Sequence, residues 1–146
     1  TWMYIGILAA LLVPINLFSA GRPANLAMYP QIRVKNWSNM TIAQSAVGWL
    51  LYLLGYEMMF RGLLLFGTLP LGVWPAIAIN TCIYSVAHIP KGPGETFGAI
   101  PFGIAICWIT LETGSITTAV VAHLALALSN EWVALRAHPE MKVVKG

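Results

Sequence analysis

In the segment Tyr56-Glu57-Met58-Met59-Phe60-Arg61-Gly62, a carboxylate and a guanidinium stand four residues apart inside an apolar run from about Thr41 to Leu69. If that run crosses a membrane, both charges are expensive. An ionisable group in hydrocarbon costs about 3 kcal/mol or more, so such groups face a bundle interior, pair with one another and mark functional centres. At helical spacing the two side chains lie on one face, where Glu57 can neutralise Arg61 directly. The pair can serve only to orient a helix, or it can belong to a site. Two later histidines favour a site. His88 closes the run Tyr84-Ser85-Val86-Ala87-His88, where a hydrogen-bonded structural histidine is the plainer reading. His123, in Val120-Val121-Ala122-His123-Leu124, sits near the middle of an otherwise apolar stretch, so its ring needs a polar partner, a metal or water. Neutral imidazole is a common zinc ligand, which makes His88 and His123 the candidate metal ligands and zinc the candidate cofactor.

The elements that position these residues follow from composition. Of 146 residues, 58% are hydrophobic and 9% are charged, against about 25% charged in an ordinary soluble domain. This is the composition of a chain whose main partner is a lipid bilayer. Cys82 and Cys107 both fall in apolar stretches and read as small core residues rather than as a disulfide. The net charge of +3 is spread over connections without a basic run, which argues against nucleic acid.

A bilayer needs about 20 apolar residues per helical crossing. On that measure the fold class is all-α and polytopic, with about five spans at 2 to 20, 42 to 67, 73 to 89, 97 to 112 and 116 to 135. The first span lacks a basic start and a small-residue cleavage site, so a retained helix is expected there rather than a signal peptide. Pro30, Pro70, Pro90 and Pro93 fall in the connections, as residues without a backbone donor should. The expected organisation is a first helix and cytosolic loop over 1–40, a membrane core over 41–135 and a basic tail over 136–146. With five crossings, Arg22, Arg33, Lys35, Lys91, Arg136, Lys142 and Lys145 all fall on one side. By the positive-inside rule the N-terminus is then outside and the C-terminus cytosolic. Trp2, Trp37, Trp74 and Trp132 lie near span ends as interfacial anchors, whereas Trp49 and Trp108 lie deeper as packing residues. Glu57, Arg61, His88 and His123 come from three different spans and can converge on one polar pocket. These limits place His88 nearer the cytosol than Glu57 or His123, so convergence requires tilt or a later start to the third helix.

The order Glu57-xxx-Arg61-Gly62, Tyr84-xxx-His88 and "ETGSITTAVVAH" ending at His123 resembles the CPBP (Abi) family of intramembrane metalloproteases, which includes the type II CAAX prenyl endopeptidases. Its marks are Glu-Glu-xxx-Arg, Phe-xxx-His and His-xxx-Asn/Asp motifs on separate helices. The likeness spans about residues 41 to 131 and includes the "HIPKG" and "TGS" turns. The resemblance implies a cavity in the membrane where a glutamate, two histidines and an asparagine bind or activate the hydrolytic water. It carries a catalytic role onto Glu57, His88 and His123, and the motif arginine onto Arg61.

Two positions depart from the pattern. The first glutamate of the motif is Tyr56, a phenol whose ordinary pKa of about 10 makes it a poor base at neutral pH. The asparagine four residues after His123 is Ala127, with Asn130 one turn further along nearly the same face as the available substitute. These departures point to a non-proteolytic family member acting as an accessory or binding subunit among other membrane protein subunits. An active metalloprotease cleaving membrane-anchored or prenylated peptides is the first alternative. Histidine ligation of a tetrapyrrole metal in a pigment or electron-transfer complex is the second.

Overall fold

The computed structural model describes residues 2–144. Lys145 of the basic tail lies outside the described residues. Helix α1 (Trp2–Ser19) is followed by the single turn α2 (Pro23–Leu26), with proline at its first position. A two-residue strand β1 (Asn36–Trp37) leads into α3 (Asn39–Glu57). Ser38 caps α3, its Oγ accepting the Thr41 N–H at 3.2 Å. From Met58 to Leu65 the same helix widens to π-helical geometry. It then tightens through α4 (Phe66–Thr68) and a 3₁₀ turn, Leu69–Leu71. Next come α5 (Val73–Val86), a 3₁₀ turn at Ile89–Lys91, α6 (Pro93–Thr113), α7 (Thr117–Ala137) and strand β2 (Lys142–Val143). Gly114, at a φ of 61°, supplies the left-handed residue that closes α6.

The protein is an all-α polytopic membrane protein. Among the described residues, four helices are long and apolar enough to cross a bilayer: Trp2–Ser19, Asn39–Leu71, Pro93–Thr113 and Thr117–Ala137. The third expected span is the exception. Helix α5 stops at Val86 after 14 residues and gives way to the 3₁₀ turn Ile89–Lys91, which contains Pro90; it is about 21 Å long at helical rise against a hydrocarbon core of about 30 Å. Conversely, the helix begun by α3 runs 33 residues, about 50 Å at the same rise. The connection from Pro90 to Thr96 is shorter than expected, because Pro93 takes the first position of α6, where its missing N–H costs nothing.

The chain forms two compact units. The first is Leu54–Val120 with the opening turn of α1. Its core has one cluster of Leu65, Ala76, Ile77 and Cys107, and another of Phe60, Tyr84 and Ala99, backed by Tyr56, Leu64 and Phe102. A Cβ on Gly103 would come within 3.2 Å of Tyr84 Cδ1, so α6 meets the Tyr84 ring with bare backbone. Lipid solvates apolar side chains as well as a core does, so close packing of this kind, rather than hydrophobic burial, holds membrane helices together.

The second unit is Ile5–Leu53 with Val121 onward. Tyr29, Trp49, Leu53, Ala127 and Ala134 form its core, and the Tyr29 and Trp49 rings stack at 6.3 Å. Strands β1 and β2 pair in parallel, Asn36 opposite Lys142 and Trp37 opposite Val143, which lays the tail along the first loop. Three expectations fail on side-chain position. Cys82 is exposed on its helix flank rather than in the core. Trp108 is 44% exposed and rests against Trp74, with ring centroids 5.7 Å apart. Trp37 is fully buried, because strand pairing turns it inward.

Candidate functional site

Glu57 ends the α-helical part of its helix and Arg61 lies in the π-helical part that follows. Their side chains are both fully buried, and Glu57 Oε2 is 3.0 Å from an Arg61 terminal nitrogen. The guanidinium lies over the Tyr84 ring, 4.2 Å from Cζ to the centroid, so α5 supplies an aromatic face to the cation. Tyr84 in turn contacts the His88 ring at 4.5 Å between centroids. The Tyr56 ring meets Phe60, Tyr84 and His88 at 4.5, 5.9 and 6.3 Å. Glu57, Arg61, Tyr84, His88 and Tyr56 thus form one cluster in which a buried ion pair is wrapped by rings.

His88 sits just past the end of α5, buried, with Nδ1 2.8 Å from the Tyr84 carbonyl oxygen. A carbonyl only accepts, so in the neutral ring Nδ1 carries the proton and Nε2 carries the lone pair. This is the tautomer a ligand or a base uses. The short α5 positions it: the Tyr84 carbonyl lies one turn back, where the helix is ending and its last carbonyls have no helical donors.

His123 belongs to the second unit, half-buried on α7. Four residues on, Ala127 is buried in the core around Trp49 and offers only a methyl group. Asn130 is already engaged: Asn25 Nδ2 donates to its Oδ1 at 3.0 Å, and its own Nδ2 donates to Asn25 Oδ1 at 3.2 Å. This reciprocal amide pair holds the α2 turn against α7. The Asn130 amide thus serves as a structural clamp, and its use in place of the missing asparagine would require a displaced pocket and the breaking of this pair.

Asn80 and Glu131 are among the buried polar residues that the sequence motifs do not single out. Asn80, in the middle of α5, donates Nδ2–H to the Phe60 carbonyl and accepts the Cys107 S–H at 3.1 Å. It thereby caps a carbonyl of the π-helical stretch, where the hydrogen-bond ladder is displaced by one residue. Glu131 is fully buried in α7. Its Oε1 and Oε2 share the Gln31 N–H at 3.1 and 3.0 Å, and Oε1 also accepts the Ser45 hydroxyl at 3.0 Å. Both residues carry a signal in the sequence, being polar groups in apolar spans.

A protein-built zinc site needs three or four ligands converging at about 2 Å from one ion. Among the described residues, no three His, Cys, Asp or Glu side chains come together in that way. Glu57 is drawn to Arg61, and its neighbour at 56 is a phenol rather than a second carboxylate. The residues as placed do not fit a zinc ion held by protein ligands alone.

Residues 24–129 match the family described as type II CAAX prenyl endopeptidase Rce1-like, well over half of the chain, and the protein belongs to that family. No curated protein and no solved structure matches it.

Proposed function

We propose that this protein is a non-proteolytic member of its family, a membrane-embedded binding or accessory subunit of a larger assembly. The observation that carries this reading is the Tyr56 ring, packed among Phe60, Tyr84 and His88 at the position where the motif places its first glutamate. A phenol there can donate or accept a hydrogen bond but is a poor acceptor of a proton from water at neutral pH. Glu57 serves as counter-ion to Arg61. On α7, Ala127 contributes no donor to a developing oxyanion and Asn130 is held by Asn25, which supports the same conclusion. What the family retains here is an apolar helical scaffold around a buried ion pair covered by the Tyr84 ring, suited to packing against partner subunits.

The topology proposed with it is five crossings, N-terminus outside and C-terminus cytosolic. The β1–β2 pairing supports it by parity. The first loop and the tail lie side by side, so the chain between them makes an even number of crossings. Helices α3, α6 and α7 alone would make three, and α5 brings the number to four despite its length. Cysteine labelling of intact vesicles should find Lys35 and Lys142 replaced by cysteine accessible from the same side, and opposite accessibility would overturn this topology.

The test of the function compares wild type with Tyr56→Glu/Ala127→Asn on a library of membrane-anchored and prenylated peptides, read by mass spectrometry. Losing a general base or an oxyanion donor each costs about 100-fold or more, so wild-type cleavage should be at background. Robust wild-type cleavage that His123→Ala abolishes would make the chain a working protease instead.

A further inference from the structure

The second unit carries a basic face that neither the family nor the polar cluster accounts for. Among the described residues outside its helix interiors, Arg22, Arg33, Lys35, Arg136 and Lys142 are exposed, against one exposed carboxylate, Glu140. They come from segments far apart in sequence, and the pairing of β1 with β2 joins the loop cation Lys35 to the tail cation Lys142: the Lys142 N–H donates to the Lys35 carbonyl at 2.9 Å, and Lys35 Nζ lies 3.9 Å from Glu140. Each stands within a few residues of a membrane helix end. Arg22 follows α1 by three residues and stacks on Phe18, Lys35 precedes α3, and Arg136 is in the last turn of α7. Arg33 donates to the carbonyls of Leu26 and Ala27, which fixes its guanidinium at the end of the α2 turn. Val34, between Arg33 and Lys35, and Val143, next to Lys142, are 43% and 54% exposed.

Cations alternating with exposed aliphatic groups at the level of helix ends are the chemistry that engages a membrane–water interface: the aliphatic groups enter the acyl boundary and the cations meet phosphates. We propose that this face is a binding surface for anionic phospholipid headgroups of the surrounding leaflet, assembled by the β1–β2 pairing. A single anionic headgroup bridging the loop and the tail would neutralise part of the excess that Glu140 alone leaves uncompensated.

The test reconstitutes the full chain in nanodiscs of equimolar phosphatidylcholine and phosphatidylglycerol, extracts it gently, and measures the ratio of the two lipids retained. Wild type should retain phosphatidylglycerol severalfold above the bulk ratio, since each Lys or Arg near an anionic surface contributes about fivefold. Arg33→Gln/Lys35→Gln/Lys142→Gln should bring the ratio to the bulk value, whereas Lys91→Gln, whose ammonium lies 3.6 Å from Glu95, should leave it unchanged. Raising the salt should erode the wild-type enrichment without any substitution, which keeps the proposal falsifiable if the triple variant fails to fold. A wild-type ratio equal to the bulk ratio, or enrichment indifferent to both salt and the triple substitution, overturns it.

Discussion

The molecule buries two carboxylates in apolar surroundings and satisfies them in opposite ways. Glu57 meets a cation on its own helix, 3.0 Å away. Glu131 meets no cation among its hydrogen-bond partners, which are the Gln31 N–H and the Ser45 hydroxyl. The first solution is electrostatic and local. It cancels charge between neighbours four apart and then covers the cation with the Tyr84 ring. The second is built from dipoles brought in from the loop after α2 and from α3, so the carboxylate doubles as the pin that fixes a loop. Losing a partner should therefore have different consequences in the two units. In one it orphans a charge, and in the other it releases a segment.

The largest expected effect is from Arg61→Ala. Removing one partner of a buried pair leaves an uncompensated charge and costs about 3–5 kcal/mol, a large share of the roughly 5–15 kcal/mol that holds an ordinary domain folded. Accumulation in membranes and thermal unfolding in detergent should both fall sharply, while exposed Lys142→Ala stays within about 0.5 kcal/mol of wild type. Equal behaviour of the two variants would mean that Glu57 finds another partner. Glu131→Ala should cost less, about 1–3 kcal/mol, because what it leaves unsatisfied is an N–H and a hydroxyl rather than a charge. Its signature should be local, with faster amide hydrogen exchange at Gln31 and its neighbours and little change around Tyr84. Glu131→Gln, which keeps one acceptor oxygen, should fall between it and wild type. Uniform loss of protection across both units would break the distinction.

A third substitution probes how tightly the rings hold the ion pair. Gly103→Ala places a methyl group 3.2 Å from Tyr84 Cδ1. The ring must give by a few tenths of an ångström, and overpacking of this kind costs about 1–3 kcal/mol when neighbours are fixed. Tyr84 is fixed by Phe60, His88 and Arg61, so destabilisation is expected. A neutral or stabilising Gly103→Ala would show the cluster to be loosely packed.

The two carboxylates also differ in how legible they are in the sequence. Glu57 and Arg61 read as a pair because helical spacing alone places them, and the apolar composition by itself specifies an all-α membrane fold. The partners of Glu131 lie 100 and 86 residues away, so no local pattern announces them. The π-helical stretch has no mark in Met58–Leu65, since its carbonyl cap, Asn80, comes from another helix. The same holds for Asn130, whose place on the helix face makes it a plausible stand-in for the absent asparagine. Only the position of Asn25 reveals that its amide is taken.

That amide pair gives the smallest and most specific prediction. Asn25 and Asn130 exchange two hydrogen bonds, at 3.0 and 3.2 Å, and Asn25 Nδ2 also reaches the Ala20 carbonyl at 2.8 Å. A neutral hydrogen bond contributes about 0.5–1.5 kcal/mol net, and residues within one network do not behave additively. Asn25→Ala should therefore cost somewhat more than Asn130→Ala, since it alone loses the third bond. The double variant should cost less than the two single costs together, leaving a coupling of about 1 kcal/mol in unfolding measurements. Additive single effects would mean that the two amides do not bond to each other. Asn130 would then be free to turn toward the face it shares with His123.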